Sequence, residues 1–196
     1  EICDTPVVPG LEYKIDKIVQ NNILKLCQSH EIDAMGNNIF RVNKKIEKSP
    51  TILVDAHMDE VGFLVSNIES NGMIRVIALG GIDPKLFYGQ RLSIWGKKPI
   101  EATVAAIPPH ISNKSDAVTQ VEDCIIDTGL KYKDVIKFIN IGDQVTFSTK
   151  CEIGYDRVLS KALDDRVGLF VLIEAVKVLS KKKLNCNFIA SASVQE

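Results

Sequence analysis

The sequence contains no long apolar run and no excess of charge of either sign. Its 196 residues include 24 Lys and Arg against 25 Asp and Glu, which gives a formal net charge of −1. A protein held mainly by nucleic-acid phosphates carries a strong basic excess, so we expect no nucleic-acid partner. The apolar runs also stay well below the roughly 18 residues that a membrane helix needs, so we expect no membrane partner.

Several motifs of common function classes are also missing. The five cysteines are scattered without a C-x-x-C pair, which argues against a disulfide framework and a cysteine-rich zinc site. We interpret them as reduced thiols and expect a cytoplasmic protein. No phosphate-binding glycine loop and no G-x-S-x-G motif occurs, so nucleotide-binding and serine-hydrolase functions have no support.

The two ends of the chain have the composition of an α/β domain. Residues 11–28 and 162–180 carry apolar side chains at helical spacing. Residues 51–56 and 187–194 are short apolar runs, which are typical of strands buried inside an α/β sheet. In between, short β-rich runs alternate with Gly and Pro, as in a small barrel or sandwich. We therefore predict an α/β domain from residues 1–65 and 158–196, interrupted by a β-rich domain at 66–157.

Polar side chains follow both apolar strands of the α/β domain. His57 and Asp59 come directly after one strand, Glu196 follows the other, and Asp164 lies at the start of the long helix. In open α/β sheets, ligands bind outside the carboxyl ends of strands. Imidazole and carboxylate groups are ligands of borderline divalent metals, and Asp59 is close enough to His57 to orient its ring.

Each of these signals also has a structural explanation when it is taken alone. His57 could simply form a hydrogen bond within a turn while Asp59 is solvated. Ser160 or Asp164 could cap the helix that follows. Glu196 could be an exposed residue.

Longer strings resemble one peptidase family. DAHMDEVGF, KALDDRVG and SASVQE occur in that order, and together they resemble the M42 family of metallo-aminopeptidases. Other segments resemble further landmarks of the family: PG and Glu12 at the start with a shortened spacing, DAMGN at 33–37, GGID at 80–83, PPH at 108–110 and IGD at 141–143.

The resemblance implies a metal-dependent aminopeptidase that removes N-terminal residues from peptides. The implied fold is a zinc-peptidase-type α/β sandwich, interrupted by a barrel-like inserted domain. By resemblance, His57 matches a ligand of one metal ion, Asp59 the acid that orients it, Asp164 the carboxylate bridging two ions and Glu196 the general base. The implied cofactors are two divalent ions, zinc or cobalt. The implied partners are peptide substrates and further copies of the chain, joined through 66–157 as dimers or a dodecamer.

The match to the family's ligand set is incomplete. The second Glu of its Glu-Glu pair and its later Asp and His ligands have no counterpart in these 196 residues. A catalytic zinc usually has three protein ligands. We therefore expect a fragment that binds metal weakly or not at all and is inactive alone. Two alternatives stay open, namely an oligomerisation or interaction module without catalysis, and a related two-metal carboxypeptidase or deacylase.

Overall fold

The computed structural model of the protein describes residues 1–105 and 120–196, so the PPH segment at 108–110 lies outside the described residues. The described chain divides into two compact units. Unit 1 comprises Glu1–Glu60 and Cys151–Glu196, and unit 2 comprises Val61–Lys150. The inserted dimerisation domain at 66–157 stays a prediction.

Short strands dominate the described chain. The α-helices are α1 (Tyr13–Ile23), α2 (Tyr132–Phe138) and α3 (Leu163–Leu179). The strands are β1 (Ser29–Ile32), β2 (Asn38–Arg41), β3 (Thr51–His57), β4 (Gly62–Ile68), β5 (Ile74–Leu79), β6 (Arg91–Trp95), β7 (Pro99–Ala105), β8 (Ile125–Asp127), β9 (Gln144–Phe147), β10 (Glu152–Ile153), β11 (Val158–Leu159) and β12 (Asn187–Ser193).

Unit 1 is built on a four-stranded sheet with the order β1-β2-β12-β3. Strand β12 runs antiparallel to β2 and parallel to β3, and Ser193 pairs with His57 at the end of the parallel pair. Parallel strands require a crossover connection, and α3 is the helix that leads into β12. The carboxyl ends of β3 and β12 therefore lie side by side.

Helices α1 and α3 share one hydrophobic core with this sheet. Ile15 and Val19 of α1 and Leu169 and Val176 of α3 are fully buried. Their spacings of four and seven residues place each pair on one face of its helix. The strand residues of the same core are Phe40, Ala56, Phe188, Ala190 and Ala192.

The first helix is shorter than predicted. Helix α1 ends at Ile23, a 3₁₀ turn follows at Leu24–Leu26, and the chain then forms β1, which the sequence analysis did not predict. Strand β1 pairs with β2 across the turn at residues 33–37. Most of its side chains are exposed, so it lacks the alternation of apolar and polar residues that signals a half-buried strand.

Residues 51–56 form a strand as predicted, but within these 196 residues the strand is not buried. Strand β3 is the last in the sheet order, and Ile52, Leu53 and Val54 are 47%, 60% and 38% exposed. Within the described residues no strand pairs with its outer edge. The strand thus has the composition of a buried strand in a position where the described chain does not cover it.

Unit 2 is a closed barrel with the strand order β4-β5-β8-β7-β6-β9. Its neighbouring strands are antiparallel, and closure removes exposed strand edges. The barrel has a separate apolar core, which includes Phe63, Val65, Ile74, Val76, Leu92, Ile94, Val104, Ile126 and Val145. The predicted α/β class with a small β-barrel is confirmed. No helix within residues 1–105 and 120–196 is long and apolar enough to cross a membrane.

Two valines of α3 provide a matched test of this packing. Val176 is fully buried, whereas Val178 is 51% exposed. We expect Val176→Ala to lower the free energy of unfolding by about 2 kcal/mol, because it removes buried methyl groups and leaves a cavity. Val178→Ala is expected to change it by less than about 0.5 kcal/mol. Urea unfolding measures both, and equal effects of the two substitutions would contradict the placement of α3.

Candidate active site

The parallel pairing of β3 and β12 brings two of the predicted site residues to one edge of the sheet. His57 is the last residue of β3 and pairs with Ser193, the last residue of β12. Glu196 lies three residues beyond Ser193. Its backbone N–H donates a hydrogen bond to Asp59 Oδ1 over 3.2 Å. The segments that follow the two strands are therefore joined directly.

His57 lies between two carboxylates. Its Nε2 is 3.3 Å from Asp164 Oδ1, and its Nδ1 is 3.5 Å from Asp59 Oδ1. The side chains of His57 and Asp59 are 14% and 6% exposed, whereas that of Asp164 is 96% exposed. Nδ1 is buried and has no hydrogen-bond partner among the described residues. The Nδ1 side of the imidazole, which faces Asp59, is thus buried, and the Nε2 side faces an exposed carboxylate.

Asp164 reaches His57 because the start of α3 is not regular helix. Ala162 has a left-handed φ of 55°, and Asp164 and Asp165 depart from helical dihedral angles. The Asp164–Asp165 peptide bond is cis. The cap of the helix is Asp165, whose Oδ1 accepts a hydrogen bond from the N–H of Gly168 at 3.0 Å. A side chain at Gly168 would place a Cβ 2.2 Å from that oxygen, so the absence of a Cβ there makes room for the cap.

The donor set fits a divalent metal ion. Two ligands bound at about 2.0–2.1 Å to one tetrahedral ion are about 3.3 Å apart, which matches the distance between His57 Nε2 and Asp164 Oδ1. If Nδ1 carries the proton towards Asp59, Nε2 has a free lone pair for the ion. The described residues contain no group of three or more His, Cys, Asp or Glu side chains that could hold a metal. His57 and Asp164 alone therefore do not make up a complete ligand set.

A buried ion pair next to the site was missed by the sequence analysis. Lys161 Nζ lies 2.5 and 2.8 Å from the two carboxylate oxygens of Glu60, and the two side chains are 8% and 2% exposed. Burial raises the pKa of Glu60, and the attraction of Lys161 offsets only part of that rise. Both residues lie within strings already singled out, but nothing in their spacing of about a hundred positions indicates a pair.

The arginine of the DDR string is also buried. Arg166 is 1% exposed, and its guanidinium donates hydrogen bonds to the backbone carbonyls of Ile2 and Thr5. Burial lowers its pKa, and the charge of Glu60 opposes that shift. Arg166 therefore ties the N-terminal segment to the helix that carries Asp164.

The polar turn at residues 33–37 contacts the segment that follows β12. Asp33 Oδ1 accepts hydrogen bonds from the backbone N–H groups of Met35, Gly36 and Asn37, and its Oδ2 accepts one from Asn37 Nδ2 over 2.8 Å. The Asn37 side chain is the largest cause of a lowered pKa at Asp33. Asn37 Oδ1 in turn accepts the N–H of Val194 over 2.9 Å.

Comparisons with known proteins identify the family of the chain. Residues 36–196 match the family model of the M42 glutamyl aminopeptidases. The chain is 31% identical to a glutamyl aminopeptidase of Lactococcus lactis, over 100% of the chain and 58% of that protein.

Solved structures share the fold. An aminopeptidase from the archaeon Desulfurococcus kamchatkensis is 30% identical, with a TM-score of 0.88 over 100% of this chain and 54% of the other. The TET1 peptidase of Pyrococcus horikoshii, which can assemble into a tetrahedron or a large octahedral shell, is 30% identical with a TM-score of 0.85, over 100% of this chain and 59% of the other. The chain thus spans somewhat more than half the length of these proteins.

The Glu60–Lys161 pair yields a prediction about stability. Lys161→Met leaves a buried carboxylate without its cation, so we expect it to lower the free energy of unfolding by about 3–5 kcal/mol. Adding Glu60→Gln to that variant should restore more than half of the loss. The control is Lys177→Met, because the partner of Lys177, Glu174, is half exposed and the expected change is below about 1 kcal/mol. No recovery in the double variant would contradict the pairing.

The lowered pKa of Asp33 predicts a pH dependence of stability. A carboxyl group whose pKa is lower in the folded than in the unfolded state stabilises the fold above its unfolded pKa, and this stabilisation is lost as the pH falls through the folded pKa. We expect the melting temperature of the wild type to exceed that of Asp33→Asn most clearly near neutral pH. The difference should shrink below about pH 4. A difference that stays constant from pH 7 to pH 2 would be the contrary result.

Proposed function

Because the chain belongs to the M42 glutamyl aminopeptidase family, we propose that the protein is a metal-dependent aminopeptidase that removes N-terminal residues from peptides. The observation that carries the proposal is the pair His57 and Asp164, which converge from distant segments to a separation that fits two ligands of one ion. Divalent ions in such a site polarise the peptide carbonyl and lower the pKa of a bound water.

The proposed roles combine the resemblance to the family with the contacts of His57, Asp59 and Asp164. His57 would be a metal ligand, and Asp59, 3.5 Å from Nδ1, would orient its ring. Asp164 would supply a carboxylate to the bound metal, as the resemblance to the family implies, and its 96% exposure leaves both oxygens accessible. Glu196 is the general base, which takes a proton from the attacking water and passes it to the leaving amine.

The remaining ligands, we propose, come from outside these 196 residues. Three observations support this. The chain covers 58% of the Lactococcus lactis relative. Strand β3 presents Leu53 at the edge of the described sheet with 60% of its surface exposed, and α3 presents Phe170 and Val171 with 55% and 57% exposed. Apolar surface of this extent on a strand and a helix calls for additional packing.

Self-assembly in the cytoplasm completes the proposed function. The TET1 peptidase of Pyrococcus horikoshii can assemble into a tetrahedron or a large octahedral shell, and this supports a homo-oligomer here. Unit 2 carries exposed apolar side chains, including Leu86 at 69% and Ile141 at 67%, and such side chains are suited to contacts between copies.

Activity of the longest protein that the source gene encodes tests this proposal. With Zn²⁺ or Co²⁺ present, we expect hydrolysis of aminoacyl p-nitroanilides and no hydrolysis of their N-acetylated forms. Asp164→Asn should lower kcat/KM by more than about 100-fold, since even residues that only support a ligand contribute 10- to 100-fold. The matched control is Asp156→Asn, an acid of unit 1 that is 80% exposed and should leave kcat/KM unchanged.

The same assay separates the alternatives. The 196-residue chain alone should be inactive, because the described residues bring together only part of a ligand set. If N-acetylated peptides with a free C-terminus and N-acetyl amino acids are added as substrates, release of the C-terminal residue or of acetate, without cleavage of the aminoacyl p-nitroanilides, would instead indicate a carboxypeptidase or a deacylase. Self-assembly without hydrolysis by the longest protein would indicate an interaction module. Either result would overturn the proposed function.

A further inference from the structure

Three consecutive backbone N–H groups before and at Glu196 each donate to a different side chain. The N–H of Val194 donates to Asn37 Oδ1 over 2.9 Å. The N–H of Gln195 donates to Glu12 Oε1 over 3.2 Å, and that of Glu196 donates to Asp59 Oδ1, also over 3.2 Å. The three acceptors come from segments far apart in the sequence, so the hydrogen bonds tie the segment from three directions.

Two of the acceptors are themselves held in place. Glu12 is 7% exposed, and its Oε1 also accepts the N–H of Gly10 over 2.9 Å. The carboxylate is therefore fixed by its own loop as well as by Gln195. The amide of Asn37 donates to Asp33 Oδ2 over 2.8 Å, which fixes the orientation of its Oδ1.

The segment they hold has an unfavourable backbone conformation. Gln195 has a φ of 55° and Glu196 a φ of 29°, both in the left-handed region that side-chain-bearing residues rarely adopt. Such conformations persist where surrounding interactions impose them, and they cluster at functional sites. We expect that loss of these hydrogen bonds would let Gln195 and Glu196 return to more common dihedral angles. The change in the backbone would then move the Glu196 side chain.

We propose that Glu12 and Asn37 are positioning residues that fix the backbone of Glu196, so that its carboxylate is held ready to act as the base. The inference rests on the proposed function for the role of Glu196. Proton transfer requires the base within hydrogen-bond distance of the water, and a displacement of about 1 Å can slow a reaction 100-fold. Asp59 contributes the third hydrogen bond and also faces His57, which couples the position of the base to that of the metal ligand.

Hydrogen exchange in the 196-residue chain tests the backbone part of the proposal without any assay of activity. We expect Glu12→Ala to accelerate exchange of the Gln195 amide by about tenfold or more, because the amide loses its acceptor. Glu12→Gln should stay close to the wild type, since its side-chain carbonyl can accept the same two N–H groups. Asn37→Ala should accelerate exchange of Val194. Val176→Ala, which weakens the hydrophobic core without removing an acceptor of these N–H groups, should leave both amides as in the wild type while the chain is folded.

Kinetics of the longest encoded protein test the positioning role. Glu12→Ala should lower kcat by about 10- to 100-fold with KM nearly unchanged, Glu12→Gln should recover most of kcat, and Val176→Ala should lower neither.

The outcomes separate this proposal from the function on which it rests. A wild type without peptidase activity overturns the proposed function, and the exchange rates then decide the backbone part alone. An active wild type whose Glu12→Ala variant keeps its kcat overturns the positioning role, whatever the exchange rates. Unchanged exchange at Gln195 and Val194 overturns the hydrogen-bond arrangement itself.

Discussion

The parallel pairing of β3 with β12 is the constraint on which the candidate site depends. It places Ser193 beside His57, so the segments that leave the two strands run next to each other and Glu196 meets Asp59. A slip of one residue in this register would turn His57 to the opposite face of the sheet. The pairing is anchored by Phe188, Ala190 and Ala192, which bury the face of β12 shared with the core of α1 and α3.

Much of the fold could be predicted because the local sequence pattern indicates its main elements. The long apolar helix α3 and the strand at 187–194 have clear patterns, and the β-rich middle of the chain gives a barrel. Strand β1 could not be predicted, because its side chains face solvent and only its pairing with β2 makes it a strand. The exposure of β3 could not be predicted either, since burial depends on what packs against a strand and not on its composition.

The site shows the same division between local and long-range information. The sequence motifs single out His57, Asp59, Asp164 and Glu196, and the structure places His57 next to both aspartates and the backbone of Glu196 next to Asp59. The residues that hold this arrangement left no signal of their role. Glu60 and Lys161 form an ion pair although about a hundred residues separate them in the sequence. Glu12 accepts a hydrogen bond from the backbone N–H of Gln195, and such a contact does not depend on which side chain residue 195 carries. Such residues are found from coordinates, since their partners are main-chain atoms or distant side chains.

The central claim is that His57 and Asp164 bind one divalent ion in common. Anomalous diffraction at the zinc absorption edge, from crystals of the longest encoded protein grown with Zn²⁺, tests it most directly. The account predicts an anomalous peak within about 2.0–2.3 Å of both His57 Nε2 and an Asp164 carboxylate oxygen. A fully occupied zinc peak elsewhere in unit 1, with His57 and Asp164 bearing none, would contradict it.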